Sequence, residues 1–466
     1  MRKNYLLNYN ISPDSLTGCV NAIEGIKDAI SIINGPTGCR LYNAYFSARQ
    51  DIYRDIIADP SQLANDFFMR QIKAPSTYLD GFDFIFSSEP KLVELLKKVN
   101  KENYFKLIGI VNSSGTSLIG DDLEKIVKKS KLTKNHIIVE TTGYTDNVNI
   151  GFQNTVIKIL EKLLDGNYTE NKKKEENTVN LIGFSLTQYN WFNDLKEIEN
   201  MLNMVGLEVN TVICAATDTG KIRNIGKAKL NIIISEEYGS LIGKYLSDEL
   251  DMPYIGIGAD TGGKGNSEEA TIYSPYGFEF TDKLISSLED YYNLELDDYI
   301  KERDMIKRRI YLALRGFQGT RGFLKGLTFG IFADSYIVFP LLKFLYEYLG
   351  LYPKIIGLRS MGQINYKSIK EYLKQNSLNT VLLDFYNQID LKNAFAKEDL
   401  DIIFGSSLEK NIIRCLDKET SFINISIPGD ERSIITFRPL MGINGVLTLV
   451  EELVNSIKIR NFSYKY

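Results

Sequence analysis

Short apolar runs alternate with amphipathic stretches along most of the chain. Residues 105–111 and 136–140 form strand-length runs, rich in β-branched residues and ended by polar or glycine-containing turns. Between them, residues 92–99 repeat apolar positions at helical spacing. The alternation returns with a strand at 179–184, a helix at 195–204 and a strand at 207–213. A third series has strands at 327–332, 354–357, 380–384, 401–404 and 422–426, with a helix at 336–348. This pattern predicts βαβ units with mostly parallel sheets, an α/β fold class.

The chain's 466 residues exceed one ordinary core, and the pattern divides them into three units at 1–168, 178–320 and 325–466. Residues 164–177 are charged and nearly free of apolar side chains, so an exposed linker is expected there. The basic stretch 299–321 reads as a helix bridging the second and third units.

A net charge of -4 supplies no overall field for nucleic acid or anionic lipid. Met1-Arg2-Lys3 is basic, but asparagines soon interrupt the apolar residues, so no signal peptide is read. No run reaches the roughly 20 apolar residues of a membrane helix. A cytoplasmic location is expected.

Candidate chemistry is sparse. The one histidine, His136, cannot make a two-histidine metal site within one chain. A catalytic triad built on it would lack a Gly-x-Ser-x-Gly elbow. Cys19, Cys39, Cys214 and Cys415 are too few and scattered for a disulfide scaffold. Asn34-Gly-Pro-Thr-Gly-Cys39 is the sharpest local feature: a tight turn after an apolar run, presenting a cysteine. Cys39 reads either as a packed structural cysteine or as a metal thiolate at the start of the next element. Cys19 lies too far from Cys39 for a Cys-x-x-Cys motif, and two thiolates are half of a cubane's ligands. In 113–122, Asp121 and Asp122 read as helix-capping residues, with a metal or phosphate role as the alternative. The glycine-rich loop 256–265 reads as a flexible connection or as an anion cradle helped by Lys264. His136, Cys214 and Cys415 read as ordinary residues.

Several segments carry a family likeness. Ile26-Lys-Asp-Ala leading to Asn34-Gly-Pro-Thr-Gly-Cys39 is one; Leu118-Ile-Gly-Asp-Asp122, Val179-Asn-Leu-Ile-Gly183, Lys229-Leu-Asn231 and Met252-Pro-Tyr254 follow in order. Gly405-Ser-Ser-Leu-Glu409, Ile427-Pro-Gly-Asp430 and Arg438-Pro-Leu-Met-Gly442 complete the series. The chain resembles the nitrogenase component 1 superfamily, which includes molybdenum–iron protein subunits, cofactor scaffold proteins and dark-operative tetrapyrrole reductases. The resemblance runs from about residue 10 to 457.

It implies three Rossmann-like domains and paired subunits, with an iron–sulfur cluster near the seam between them. It also implies a transient ATP-dependent iron–sulfur reductase that delivers electrons. Cys39 falls on a family cluster ligand. Cys19 is either a relocated first ligand or the filler of a small-residue position. Ser114 stands where the family has its third cysteine, a departure from the nitrogenase ligand set. Ile234 and Ser235 stand where the molybdenum–iron protein has a His-Cys pair, so no iron–molybdenum cofactor and no dinitrogen reduction are expected.

The leading expectation is therefore an oxidoreductase component with a [4Fe–4S] cluster bridging two subunits. Cys19 and Cys39 would serve a homodimer, and a heterodimer with a component 1-like paralogue is the other arrangement. The substrate would sit between the three units, where Glu236 is a candidate proton donor and Lys264 a candidate charge partner, with Ser235, Gly262 and Gly263 in the wall. A metallocluster-assembly scaffold and a cluster-free structural paralogue are the alternatives.

Overall fold

Buried strand segments assemble into three parallel sheets. The computed structural model describes residues 13–40, 74–141, 147–164, 174–257, 271–321, 324–429 and 434–463. The first sheet has the order β1-β2-β3, from Ala29–Asn34, Leu107–Asn112 and Asn135–Glu140. The second has the order β5-β4-β6-β7, where β4 is Glu175–Ile182, β5 Glu208–Val212, β6 Ala228–Ile233 and β7 Tyr254–Gly256. The third runs β10-β9-β8-β11-β12, with β8 at Thr328–Ala333, β9 at Tyr352–Leu358, β10 at Val381–Asp384, β11 at Ile402–Gly405 and β12 at Ser421–Asn424. Every strand pairing is parallel. Every residue of β1 and β2 is buried, as expected for a sheet with helices on both faces.

In the second and third sheets the winding reverses, between β4 and β6 and between β8 and β11. Loops leaving the carboxyl ends of strands diverge at such a reversal and open a crevice.

The strand segments read from the sequence appear within a few residues of their expected limits. Two departures are informative. The stretch expected as an exposed linker begins with Leu164, which is the buried last residue of the Val148–Leu164 helix. Its far end, Glu175 to Asn177, is the start of β4, where Glu175 and Glu176 pair with Lys227 and Lys229 at 3.3 and 3.0 Å. Charge pairing along the strand permits a polar sequence to continue the ladder. The expected 336–348 helix is α-helical over Ser335–Lys343 and widens to a π-helical turn at Phe344–Tyr348.

The Ser15–Glu24 helix packs on the Val148–Leu164 helix with backbone almost touching backbone. A Cβ on Gly18 would lie 1.9 Å from the Val148 carbonyl oxygen, and one on Gly151 would lie 2.2 Å from that of Ser15. Glycine at both positions is what permits this approach. One continuous apolar core runs from this helix pair to the C-terminal Gly442–Ser463 helix. No helix of the described residues is long and apolar enough to cross a membrane.

Candidate functional site

The carboxyl ends of β1 and β2 converge on Cys39. Asn34 closes β1 fully buried, and its amide donates to Ser88 Oγ at 3.1 Å and to Asn112 Oδ1 at 3.0 Å. The Gly35 N–H donates to Thr77 Oγ1 at 3.0 Å, and Ser76 Oγ donates to the Gly35 carbonyl at 2.9 Å. A Cβ at Gly35 would come within 2.8 Å of Ser113 Oγ, so glycine lets the turn lie against β2. Pro36 then starts a helical turn, where the Cys39 N–H donates to the Pro36 carbonyl at 3.2 Å.

Cys39 is half-buried. Burial pushes its thiol pKa up, and the neighbouring Ser113 hydroxyl opposes that shift. Ser113 Oγ shares a 2.8 Å hydrogen bond with Thr116 Oγ1. Ser114, partly exposed, opens the one-turn Ser114–Ser117 helix immediately afterwards. Cys39 and the Ser113–Ser114 pair thus share one end of the first sheet.

An apolar rim surrounds this end. Tyr78, Phe82, Ile85, Phe86 and Leu118 are exposed, Leu118 by 85%. Phe82 and Phe86 pack ring to ring at 4.3 Å, and the Arg40 guanidinium lies 5.5 Å from the Tyr78 ring centre. The rim is tied down from below. Asp121 accepts from Ser88 N at 2.6 Å and from Ser87 Oγ at 2.8 Å, while Asp122 caps the Leu123–Ser130 helix. Both aspartates of the 118–122 motif therefore cap helix starts.

Cys19 does not join this surface. It is 3% exposed within the helix crossing, and its Sγ donates to the Gly151 carbonyl at 3.4 Å. Burial pushes its pKa up to about 11, so the thiol stays protonated and packed. Cys214 is also buried, with its thiol pKa raised by burial, and Cys415 is exposed at the end of the Ser407–Arg414 helix. Among the described residues, no group of three or more His, Cys, Asp or Glu side chains is arranged to hold a metal ion.

A second locus lies where the carboxyl ends of the second and third sheets face each other. This crevice is narrow and open to solvent, with an enclosed volume of about 30 Å³. Thr187, Gln188 and Tyr189 form one wall, after β4; Asp334, Arg359 and Ser360 form the opposite one, after β8 and β9. Asn147 and Val148 bring the first unit to its edge. The wall after β4 is braced: Gln188 Nε2 donates to the Gly183 carbonyl at 2.8 Å, and Ser185 N donates to Gln188 Oε1 at 3.1 Å.

The chain matches the model of the nitrogenase component 1 type oxidoreductases over residues 15–458. It belongs to that family. It is 20% identical over 458 residues to a subunit of the light-independent protochlorophyllide reductase of Staurastrum punctulatum, covering 95% of this chain and 82% of that protein. The same subunit from Zygnema circumcarinatum is 22% identical over 449 residues, with the same coverage. The solved structure of nitrogenase Cp1 at pH 6.5 superposes with a TM-score of 0.78 at 17% identity, over 100% of this chain and 96% of that one. At this identity the likeness to the solved structure establishes the α/β fold.

Other family positions have plain structural work. Ser235 is fully buried and its Oγ donates to the Gly183 carbonyl at 2.8 Å; Ile234 is buried beside it. Glu236, expected as a proton donor, is a helix cap. It accepts from Ile364 N and Asn365 N at 2.9 Å each, and from Asn365 Nδ2 at 3.0 Å. Burial raises its pKa while these donors hold it down. Lys264, Gly262 and Gly263 lie outside the described residues. His136 sits in β3, with Nδ1 3.2 Å from the Lys134 carbonyl oxygen. Asp334, Arg359 and Tyr189 were missed in the sequence. The available signal was their position just past strand ends, where parallel sheets hold ligands.

Proposed function

We propose that this chain is the electron-accepting component of a nitrogenase-like reductase, with Cys39 as its ligand to an iron–sulfur cluster shared with a partner chain. The observation that carries the reading is the setting of Cys39: a partly exposed cysteine beside Ser113 and Ser114, ringed by an apolar rim. An incomplete ligand set on an apolar surface suits completion by a second chain, which also excludes water.

Within one chain the donors do not fit a complete cluster. Cys39 is the suitable thiol, Ser114 is a weaker donor, and Cys19 is packed in a helix crossing. A cubane takes about four thiolates. This arithmetic favours a heterodimer with a component 1-like paralogue that brings the larger share, over a homodimer built on Cys19 and Cys39. Bound there, the cluster would supply one-electron transfer, with electrons drawn from an ATP-dependent iron–sulfur reductase. The chain's own residues would shape the seam and hold substrate in the crevice between the second and third sheets.

The test is electron paramagnetic resonance with iron and sulfide analysis on anaerobic protein, co-expressed with a component 1-like paralogue. The expected result is a reduced [4Fe–4S] signal that Cys39→Ala abolishes and Cys19→Ala retains. Retention of the full signal in Cys39→Ala overturns the assignment. A second reading, a cluster-free structural paralogue, draws on the lack of a complete metal-holding group among the described residues. It predicts a stable complex in which wild type and Cys39→Ala are equally free of iron.

A further inference from the structure

The Asp297–Arg321 helix has an inner face of ordinary kind. Tyr299, Ile306, Ile310 and Phe317 are buried, and the helix packs on the Gly442–Ser463 helix. Asp282 holds its flank, accepting from Tyr299 OH at 2.6 Å and lying 3.5 Å from Arg303 and 3.7 Å from Lys307. One apolar stripe of this kind is enough to seat a helix on its own core.

The outer face carries a second stripe. Asp298, Lys301, Met305, Arg308, Leu312 and Arg315 are all exposed, and they recur at intervals of three, four, three, four and three residues. That spacing lines them up along one side of a helix. Met305 and Leu312 are 48% and 55% exposed, with Tyr311 beside them at 61%. Among the described residues Asp298, Lys301, Arg308 and Arg315 enter no ion pair, whereas Arg303 and Lys307 do.

The intervals are the same from either end. A second copy of the helix, laid antiparallel across a two-fold axis, therefore meets this stripe with its own. Asp298 of one copy then faces Arg315 of the other. Met305 faces Arg308, and Leu312 faces Lys301, so each apolar side chain lies on the aliphatic stem of a long cation.

The charge along the helix agrees with this orientation. Residues 297–304 hold four acids and two bases, and residues 305–316 hold four bases and no acid. Antiparallel packing sets these opposite halves together. The two basic halves are then displaced by about 12 Å along the axis, more than the screening length of about 8 Å at physiological salt. Parallel packing would set like halves side by side. The acids on this helix, Asp297, Asp298 and Asp304, repel phosphate, so nucleic acid and anionic lipid suit the face less than a second copy does.

We propose that the Asp297–Arg321 helix is a self-association surface, through which two copies of the chain pair antiparallel, with Met305 and Leu312 at the centre and Asp298–Arg315 ion pairs at both ends. A contact one helix wide is small, below about 1,200 Å² of buried surface, so the association is weak and rises with concentration. The inference goes beyond the Cys39 reading and does not depend on it. Two units paired at the Cys39 seam would join through this helix only at high concentration.

Sedimentation velocity over a concentration series tests it on the full chain carrying Phe82→Asp and Leu118→Asp, so that the apolar rim near Cys39 cannot supply the contact. This chain should pass from monomer to dimer in the micromolar range. Adding Leu312→Asp or Arg315→Asp should weaken the association at least about tenfold, because each change counts twice across the two-fold. Adding Asp298→Arg to Arg315→Asp re-forms the ion pair with its signs exchanged, and should restore association to within about threefold of the starting chain. Circular dichroism reports whether each variant folds; if Asp298→Arg does not, the other two substitutions decide. A rim-blunted chain that stays monomeric throughout the series overturns the proposal. So does undiminished association in folded Leu312→Asp or Arg315→Asp, or a folded charge exchange that restores nothing.

Discussion

At the scale of single residues, the two N-terminal cysteines separate by environment. Cys39 sits at a strand end on an apolar surface, while Cys19 fills a helix crossing that two glycines make close. Cys19→Ala should cost about 1 kcal/mol in stability from the small space left behind, with iron content unchanged. Thermal unfolding and iron analysis of the variant check both halves; loss of iron would return Cys19 to the ligand set. The legibility of these residues follows the distance to what they touch. The turn around Cys39 was readable because Gly35, Pro36 and Gly38 are adjacent to it. The settings of Cys19 and Glu236 were not legible because their partners, Gly151 and Asn365, lie 132 and 129 residues away. Nothing in a local pattern reveals such pairings.

At the scale of elements, buried carboxylates join the units by capping helix starts across their boundaries. Asp28 accepts from Thr219 N at 2.8 Å and Thr219 Oγ1 at 2.7 Å, tying the first unit to the second. Glu236 and Glu237 receive the starts of the Gln363–Gln375 and Ser335–Lys343 helices from the third unit. Asp194 accepts from Leu440 N and Met441 N at 2.5 and 3.0 Å, and Glu197 accepts from Asn444 N at 2.8 Å, which docks the C-terminal Gly442–Ser463 helix. The positive end of a helix dipole favours an acid at each junction.

Burial pushes the Asp194 pKa up to about 7, two backbone N–H groups partly opposing it, and pushes Glu237 up to about 8. Folding therefore binds protons more tightly than the unfolded chain does. The stability these groups contribute is fully present below their unfolded pKa of about 4, and is lost as pH rises through about 7 to 8. The chain should unfold more easily at pH 8.5 than at pH 6. Asp194→Asn keeps an acceptor oxygen but cannot ionise, and should reduce the difference between pH 6 and pH 8.5 by about 1 kcal/mol. Denaturant unfolding at the two pH values checks it; an unchanged slope in the variant would contradict the role assigned to Asp194. The strands and most helices were legible because period and turn residues are local. These junctions were not, since an acidic residue near a helix start reads as an ordinary solvated charge until its partner is known.

At the scale of the whole molecule, two loci occupy strand carboxyl ends at different places. One is the Cys39 surface on the first sheet, and the other is the crevice between the second and third. Their separation suits a division of labour in which electrons enter at a seam between chains and substrate is held within one chain. The apolar rim of Tyr78, Phe82, Ile85, Phe86 and Leu118 should be covered in the working assembly. Replacing Phe82 and Leu118 together by aspartate should weaken association with the partner by at least about tenfold, since exposed apolar anchors carry much of an interface. The folded chain should tolerate the change because both side chains are already in water. Analytical ultracentrifugation with the co-expressed paralogue reads the effect, and association at wild-type strength would remove the rim from the interface.

The most direct measurement is the mass and iron content of the anaerobically purified complex, by light scattering and metal analysis on one sample, for wild type and Cys39→Ala. The wild-type chain should run as a dimer with a component 1-like partner carrying about four irons per pair, and Cys39→Ala should lose the iron. A cluster-bearing monomer, or a dimer that keeps its iron without Cys39, would contradict a cluster held at a seam by this residue.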